Sequence, residues 1–190
     1  KIYNKADHVI AVSNEITKGL DNYSVVTNWI DFNIEEIISN LNKENHALAV
    51  GRFEKAKGFD LLIKSWENIE RELVIIGDGS EYEALEKLIK DMNLSHKITL
   101  KNFLPYEDIL KEFAKAKVFI LSSRNEGGPR VALEALALKT PVLSTKVGHM
   151  SSIFPEEMLV EPNNQKKLKE FLELYVDNID SLNQESNYPY

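Results

Sequence analysis

The sequence predicts an α/β protein with a Rossmann-like, doubly wound parallel β-sheet. Short apolar segments alternate with amphipathic segments of roughly ten to fifteen residues along most of the chain, and this alternation is typical of βαβ units. The loops richest in glycine and charge, such as 51–58 and 124–129, directly follow apolar segments. Because ligands of doubly wound sheets bind at the carboxyl ends of the strands, these loops are the first candidates for a site.

Strands are predicted where apolar and β-branched residues run together and end in a turn. Counted with these turns, the strand segments are 8–13, 24–30, 46–53, 71–79, 97–105, 117–123, 141–148 and 158–162. Helices are predicted where apolar residues recur at helical spacing, and where Asn14 offers a cap. The helical segments are 14–20, 33–45, 58–69, 81–93, 106–116, 129–138 and 164–179.

The composition excludes several classes of protein. The net charge of −7 argues against a general nucleic-acid-binding protein, because a phosphate backbone would be repelled. The absence of cysteine excludes disulfides and thiolate metal sites. The apolar runs are too short for a membrane span, and the first residues lack the apolar core of a signal peptide. From the net charge we expect no nucleic-acid partner.

The segment GRFEKAKG (51–58) joins a predicted strand to a predicted helix and contains Arg52 and Lys57. The first N–H groups of a helix have no intrahelical partner. Two cations in front of such a helix start suit a phosphate. A solvated, charged loop explains the same residues, so both interpretations stay open at this point.

The segment IIGDGS (75–80) begins like a dinucleotide-binding fingerprint. The pattern G-x-G-x-x-G would need a third glycine at position 82, where the sequence has Tyr82. We therefore predict an Asp-Gly turn followed by a helix that Ser80 caps, and not an NAD site.

The segment KNFLPYEDI (101–109) carries no reactive group. Pro105 and Tyr106 predict a tight turn and a helix start. Phe103 and Leu104 are either walls of a base pocket or ordinary loop packing, and the sequence does not separate these two interpretations.

The loop EGGP (126–129) is the most informative segment, because Glu126 and Glu134 lie eight positions apart on either side of its break. Glycines let backbone amides approach a ligand without hindrance from a Cβ atom. Pro129 suits the first position of a helix, where its missing N–H has no consequence. The helix dipole and the amides of residues 128–131 would then favour a diphosphate.

Each of these glutamates also has an ordinary explanation. Glu126 is a charge of the sign favoured near a helix start, and Glu134 could be an outward-facing helix residue. Residues 131–138 are otherwise all apolar, however, and a single glutamate in such a helix usually faces a polar partner. We therefore interpret Glu126 as a ligand of sugar hydroxyls and Glu134 as a ligand of a ribose diol.

These segments resemble the retaining GT-B glycosyltransferases of glycosyltransferase family 4 (group 1). The family pattern E-G-[FG]-[GP]-x-x-x-x-E-A is matched by EGGPRVALEA, and G-R-[LF]-x-x-x-K-G is matched by GRFEKAKG. The turn I-x-G-x-G is present as IIGDG, and P-V-[IVL]-x-T with a following V-G is present in TPVLSTKVG. ADHVIAVS and VVTNWID resemble the segment between the family's two domains. The resemblance covers about residues 6–172.

The resemblance implies a domain organisation. Family members have two Rossmann-like domains with the active site between them, and this chain resembles the carboxyl-terminal, donor-binding domain. Residues 1–20 would then be the end of the amino-terminal acceptor domain and the interdomain segment, residues 21–180 the nucleotide-sugar-binding domain, and residues 181–190 a flexible tail. The rest of the acceptor domain is a missing partner, so we expect this fragment alone to be inactive.

The resemblance also implies the site residues. Arg52 and Lys57 match the pair that neutralises the donor diphosphate, and Glu126 matches the glutamate that contacts the transferred sugar. These three residues are the predicted catalytic groups, and Glu134 matches the glutamate that binds the ribose. The other predicted donor-binding residues, which meet the sugar, phosphate or nucleobase, are Asn102, Phe103, Gly127, Gly128, Pro129, Arg130 and Val131.

The reaction implied by the resemblance uses neither a metal nor a cofactor. Departure of a nucleoside diphosphate builds negative charge that needs a fixed counter-charge. The sequence has no Asp-x-Asp motif for a metal, so Arg52, Lys57 and the helix dipole would supply it. Retention in the family is described as front-face departure and attack, with Glu126 positioning the sugar. We expect a nucleotide-diphosphate sugar as donor, UDP- in preference to GDP-, and a saccharide or lipid-linked saccharide as acceptor.

Two positions depart from the family pattern. Lys139 stands where the family often has glycine, and His149 follows Gly148 where a second glycine is common. Both positions border the predicted sugar site, so the identity of the sugar stays open.

Two other functions are alternatives to a glycosyltransferase. A non-catalytic sugar-nucleotide-binding module would use the same donor site, although the intact glutamates and cations favour an enzyme. An NAD(P)-linked dehydrogenase is disfavoured by Tyr82. Because the family commonly builds surface polysaccharides and glycolipids, we expect the same role here, in the cytoplasm or peripherally at the inner face of the cell membrane.

Overall fold

The computed structural model of the chain describes residues 9–11, 23–25, 35, 37, 41–154 and 156–179. The predicted helix 14–20 and the predicted tail 181–190 lie outside these residues, as does most of the segment 1–20. The assignment of residues 1–20 to another domain therefore stays a prediction.

The described residues form two parallel sheets. The strands are β1 (Val9–Ala11), β2 (Tyr23–Val25), β3 (His46–Val50), β4 (Glu72–Ile76), β5 (Ile98–Lys101), β6 (Val118–Leu121), β7 (Val142–Thr145) and β8 (Leu159–Val160). β1 pairs with β2, and the other strands form a six-stranded sheet in the order β5-β4-β3-β6-β7-β8.

The strand order creates a switch point between β3 and β6. From β3 the chain moves outward through β4 to β5, returns to β6 on the other side of β3, and continues through β7 to β8. All pairings in this sheet are parallel. This is the doubly wound Rossmann order, in which a crevice opens at the carboxyl ends of the two central strands. The predicted fold class is confirmed.

Helices cover both faces of the large sheet. They are α1 (Phe59–Ser65), α2 (Tyr82–Asp91), α3 (Tyr106–Lys115), α4 (Arg130–Ala137), α5 (Met150–Ile153) and α6 (Gln165–Tyr175). One core cluster joins the sheet to α1, α2 and α6, and the other joins it to α3, α4 and α5. Alternate residues of β3 enter the two cores, with Ala47 and Ala49 in the first and Leu48 and Val50 in the second. Burial of both faces explains why the strands read as continuous apolar runs.

Several predicted bounds differ from the structure. The helix predicted over 58–69 ends at Ser65, because Trp66 is fully buried and its indole N–H donates to the carbonyl oxygen of Arg71 at 2.8 Å, which turns the chain back. Of the segment 33–45, residues 35 and 37 are helical but residues 41–45 are not. The strand predicted over 24–30 is Tyr23–Val25, and residues 26–30 lie outside the described residues.

Two predicted helix starts are also corrected. Pro129 has a ψ of 87°, outside the helical range, and precedes the helix, which begins at Arg130. Ser80 does not cap α2, because Glu81 occupies the N-cap position without a side-chain cap. The backbone N–H of Glu81 donates instead to the carbonyl oxygen of Phe53 at 2.9 Å, so a partner from the neighbouring loop orders this turn. The sequence pattern also missed α5 and the 3-10 turns Lys55–Lys57 and Glu156–Met158.

Candidate functional site

The two loops at the switch point place Lys57 and Glu126 in direct contact. Lys57 ends the 3-10 turn Lys55–Lys57 after β3, and Glu126 lies in the loop between β6 and α4. Lys57 Nζ donates a hydrogen bond to Glu126 Oε1 over 2.5 Å. The two side chains are 22% and 13% exposed. Their attraction is therefore stronger than that of an ion pair on the open surface.

Gly58 allows the two loops to approach each other. Its φ of 68° lies in the left-handed region that favours glycine. A Cβ atom at this position would also clash with the carbonyl oxygen of Ser122, the first residue after β6. Ser122 in turn donates its hydroxyl to the carbonyl oxygen of Lys57 at 3.0 Å. The close approach of the turn after β3 to the end of β6 therefore requires a residue without a side chain directly after Lys57.

Arg124 joins the same two loops and was not predicted as a site residue. Its Nη1 and Nη2 atoms donate to the two carboxylate oxygens of Asp60 at 2.7 and 2.9 Å. Nη1 also donates to the carbonyl oxygen of Lys55 at 2.7 Å. Burial alone would raise the pKa of Asp60, but the hydrogen bonds and charge of Arg124 outweigh it, and this pKa lies below its ordinary value. Together these contacts hold the turn after β3 and the start of α1 onto the loop after β6.

Glu126 is held by a second donor besides Lys57. The Ser123 hydroxyl donates to Glu126 Oε1 at 2.8 Å, so both contacts converge on one carboxylate oxygen. Thr145, at the end of β7, donates its hydroxyl to the carbonyl oxygen of Ser123 at 2.7 Å. The position of the Glu126 carboxylate is thus fixed from three neighbouring strand ends.

Glu134 faces the interior of the protein and is 3% exposed. The Tyr106 hydroxyl donates to Glu134 Oε1 at 2.9 Å, and Arg130 Nε lies 2.9 Å from the same oxygen. Burial, followed by the hydrogen bond and charge of Glu134, raises the pKa of Tyr106 above its ordinary value. An outward-facing position for Glu134 is therefore excluded, and its polar partners come from the starts of α3 and α4.

A cavity of about 320 Å³ opens at the carboxyl ends of β3 and β4. It adjoins Lys57, because a Cβ atom at the lining residue Gly51 would lie 3.5 Å from the Lys57 side chain. Its apolar walls include Phe103 and Ile109, and Arg52 and Asp78 lie on its polar side. Phe103 is 63% exposed, which is unusual for a large apolar side chain. The cavity therefore offers apolar contacts and an aromatic ring beside charged groups, as small-molecule sites do.

The remaining predicted residues lie around the same crevice, but not all of them contact Lys57 or Glu126. The Arg52 side chain is 72% exposed and pairs with Glu54 at 2.8 Å, apart from the contact between Lys57 and Glu126. Asn102 is exposed at the end of β5. The predicted residues between Glu126 and the first turn of α4 are half-buried to buried except for the exposed Arg130, and they are Gly127, Gly128, Pro129, Arg130 and Val131.

Sequence reasoning missed Arg124, Asp60, Ser123 and Tyr106. Three of them lie near recognised motifs. Asp60 lies two positions after Gly58, and Ser123 and Arg124 lie three and two positions before Glu126. Polar residues so close to a predicted loop are a signal that could have identified them. Tyr106 follows Pro105 at a helix start, and nothing in the sequence links it to Glu134.

The described part of the chain contains neither a metal-binding cluster nor a membrane-spanning helix. Among these residues, no three His, Asp or Glu side chains are grouped so that they could hold a metal ion. The same residues contain no helix with the length and hydropathy needed to cross a membrane.

The geometry defines a Rossmann-like α/β domain with a candidate ligand site at its switch point. The model of the family "Glycosyl transferases group 1" matches residues 31–188. The chain therefore belongs to the glycosyl transferases group 1 family.

Relatives support this assignment. The chain is 33% identical over 173 residues to an uncharacterized glycosyltransferase of Methanocaldococcus jannaschii, covering 87% of this chain and 48% of the relative. It is 30% identical over 156 residues to the amylovoran biosynthesis glycosyltransferase AmsD of Erwinia amylovora, covering 75% and 44%. The chain thus spans less than half the length of each of these relatives.

Solved structures share the fold. HepE of Anabaena, in complex with UDP and glucose, superposes with a TM-score of 0.78 at 20% identity, covering 92% of this chain and 55% of that protein. The C-terminal domain of LpcC, a glycosyl transferase group 1 family protein of Francisella tularensis, gives a TM-score of 0.64 at 21% identity and covers 78% and 84%. At these identities the likeness concerns the fold.

Proposed function

We propose that this chain is the donor-binding domain of a retaining glycosyltransferase. The enzyme transfers a hexosyl group from a nucleotide-diphosphate sugar to an acceptor saccharide or lipid-linked saccharide. The observation that carries the proposal is the contact between Lys57 and Glu126, a cation and a carboxylate brought together from two strand ends at the switch point. Such a pair suits the reacting end of the substrate. The cation can bind the anionic diphosphate, and the carboxylate can accept hydrogen bonds from the sugar hydroxyls.

Donor binding exchanges the partner of Lys57. The ammonium group moves its hydrogen bond from Glu126 to an oxygen of the diphosphate, where it offsets the charge that develops as the sugar departs. Glu126 keeps the hydroxyl of Ser123 and accepts hydrogen bonds from the sugar in place of Lys57. The first turn of α4, which begins at Arg130, contributes N–H groups without intrahelical partners to the same phosphate oxygens.

The nucleoside occupies the cavity beside this pair. The exposed ring of Phe103 offers a stacking surface for the base, and Glu134 accepts a hydrogen bond from the ribose. UDP is our first candidate for the nucleotide, because a structural neighbour, HepE, was solved with UDP and glucose. Arg52, on the polar side of the cavity, moves from Glu54 to the diphosphate.

The complete enzyme has a second, acceptor-binding Rossmann-like domain. This part of the proposal is supported by the relatives, of which the chain spans less than half. The AmsD relative acts in amylovoran biosynthesis by name, and we propose a comparable role in surface polysaccharide or glycolipid synthesis. Transfer proceeds without a metal ion, with Arg52, Lys57 and the start of α4 as the counter-charge.

The test is transfer by a two-domain protein that contains this chain and an acceptor domain. The protein is incubated in EDTA with α-linked UDP-hexoses, and the product is followed by mass and by the anomeric proton signals in NMR spectra. An α-linked product supports retention, and a β-linked product contradicts it. Glu126→Gln should abolish transfer but keep UDP binding, whereas Glu67→Gln, which alters the ion pair with Lys169 outside the proposed donor site, should change neither.

The same experiment decides between an enzyme and a binding module. A protein that binds UDP-hexoses saturably but neither transfers nor hydrolyses them is a non-catalytic module. That outcome would overturn the enzymatic part of the proposal while leaving the donor site intact.

A further inference from the structure

Tyr106 connects the cavity to Glu134. It is the first residue of α3, three positions after Phe103 and three before Ile109, and both of these residues line the cavity. Residues three apart on a helix lie on the same face, so Tyr106 stands next to Ile109, which lines the cavity. Its hydroxyl reaches Glu134 Oε1 at 2.9 Å. A nucleoside in the cavity would therefore have its ribose next to Tyr106.

The contacts of Glu134 restrict how it can accept further hydrogen bonds. Tyr106 and Arg130 both approach Oε1, at 2.9 Å each. A carboxylate offers about two acceptor positions on each oxygen, so two donors take up the capacity of Oε1. Ribose hydroxyls are then left with Oε2. These two contacts therefore fix the orientation of the carboxylate before any ligand arrives.

Tyr106 has fewer rotatable bonds than Arg130, so it loses less conformational freedom when it holds Glu134. The Arg130 side chain is 53% exposed and reaches Glu134 through a long, flexible stem. The Tyr106 ring has only two rotatable bonds and is held at a helix start, with the Arg130 guanidinium 5.7 Å from the ring centre. Arg130 Nη2 also donates to the Tyr106 hydroxyl oxygen at 3.4 Å. The tyrosine oxygen therefore accepts from Arg130 while the tyrosine proton is directed to Glu134.

We propose that Tyr106 is a positioning residue for ribose recognition, which orients the Glu134 carboxylate so that it accepts the ribose hydroxyls through Oε2. The proposal rests on the proposed function, because it assumes that the cavity takes a nucleoside diphosphate. It adds Tyr106, from the start of α3, to the donor site. Tyr106 and Glu134 together then select ribose over sugars that lack these hydroxyls.

The test compares two nucleotides on three proteins by titration calorimetry. The proteins are the wild-type chain, Tyr106→Phe and the control Tyr175→Phe, whose ring packs on Phe171 in α6. The nucleotides are UDP and 2′,3′-dideoxy-UDP, or the guanosine pair if GDP is the nucleotide that binds. In the wild type, loss of both hydroxyls should weaken binding about tenfold or more, because a hydrogen bond to a charged group is lost.

The proposal predicts a loss that depends on the ribose hydroxyls. Tyr106→Phe should weaken binding of UDP by about fivefold and leave binding of dideoxy-UDP within about twofold of the wild type. Tyr175→Phe should change neither. In a Glu134→Gln background, Tyr106→Phe should have little further effect, because the two residues act as a unit.

Three other results would contradict the proposal, and each has a different meaning. An equal loss for both nucleotides in Tyr106→Phe means that Tyr106 merely supports the local structure. Tighter UDP binding means that Tyr106 blocks Glu134 and must be displaced. Absence of saturable binding of UDP, GDP and ADP to the wild type overturns the proposed function itself, and the role of Tyr106 falls with it.

Discussion

Lys57 and Glu126 form an ion pair of 2.5 Å although 69 residues separate them in the sequence. One residue ends the turn after β3 and the other lies in the loop after β6, so the pair exists only because these strands are neighbours in the sheet. Each charge neutralises the other in the structure without a ligand. A phosphate group must therefore compete with Glu126 for Lys57, and its success releases the carboxylate for the sugar.

Arg124→Ala should lower the free energy of unfolding by about 1.5–3 kcal/mol, the range for hydrogen bonds to charged groups. The variant loses the bidentate contact with Asp60 and the bond to the carbonyl oxygen of Lys55. Arg124→Lys should recover less than half of this loss, because an ammonium group cannot form the two parallel hydrogen bonds. Urea unfolding followed by circular dichroism measures both changes.

A control for Arg124 is Lys146→Ala, which removes an exposed ion pair with Glu156. Its effect should stay below about 1 kcal/mol, as is usual for surface pairs. Full stability of Arg124→Lys would show that the fork geometry between Arg124 and Asp60 does not hold the two loops together.

Lys139→Gly should stabilise the protein. Lys139 has a φ of 56°, and its N–H and that of Thr140 donate to the carbonyl oxygens of Leu136 and Ala135, which is a Schellman motif at the end of α4. Glycine adopts this conformation without the cost that a Cβ atom adds, about 1 kcal/mol. Lys139→Ala removes the same charge but keeps the Cβ atom, so it is the matched control. Equal thermal midpoints for the two variants would contradict this account.

The stability contributed by Lys43 should depend on pH. Its Nζ donates to the carbonyl oxygen of Ala116 and to Thr140 Oγ1, and burial, reinforced by the charge of Lys117, lowers its pKa from 10.5 to about 8. The unfolded chain then binds more protons than the folded chain between pH 8 and 10.5. Stability therefore rises with pH in this window. The free energy of unfolding of the wild type, measured relative to Lys43→Met, should increase from pH 8 to 10.5.

A flat difference between the wild type and Lys43→Met over this range would show that Lys43 titrates as an ordinary exposed lysine. Lys64→Met, a change of the same kind on α1, is the control for replacing a lysine by methionine.

The fold could be predicted from the sequence because the hydrophobic pattern of each segment agrees with its position in the fold. Strands such as β3 and β6 are buried on both faces and read as unbroken apolar runs, and the helices between them carry clear amphipathic patterns. The places of Lys57 and Glu126 followed from this order, since both lie in loops at carboxyl ends of central strands. The ends of elements were harder to predict, as Trp66 shows, because a tertiary hydrogen bond ends the helix there.

Side-chain contacts between different loops could not be predicted from the sequence. Arg52 was predicted to stand with Lys57, but its long, exposed side chain pairs with the nearby Glu54. Tyr106 reaches Glu134 only because the starts of α3 and α4 converge, and Arg124 reaches Asp60 only because the two switch-point loops pack. Such contacts depend on distances between elements, which neither periodicity nor spacing contains.

Titration of UDP into the chain in EDTA tests the central claim most directly, with wild type, Lys57→Ala and Lys169→Ala compared. Lys169 in α6 pairs with Glu67, which follows α1, so its variant removes the same charge from an ion pair outside the proposed donor site. The account predicts saturable binding to the wild type and to Lys169→Ala, weakened about tenfold or more in Lys57→Ala because a charge-assisted bond to phosphate is lost. Equal affinity of all three proteins would contradict it, because the nucleotide would then bind away from the contact between Lys57 and Glu126.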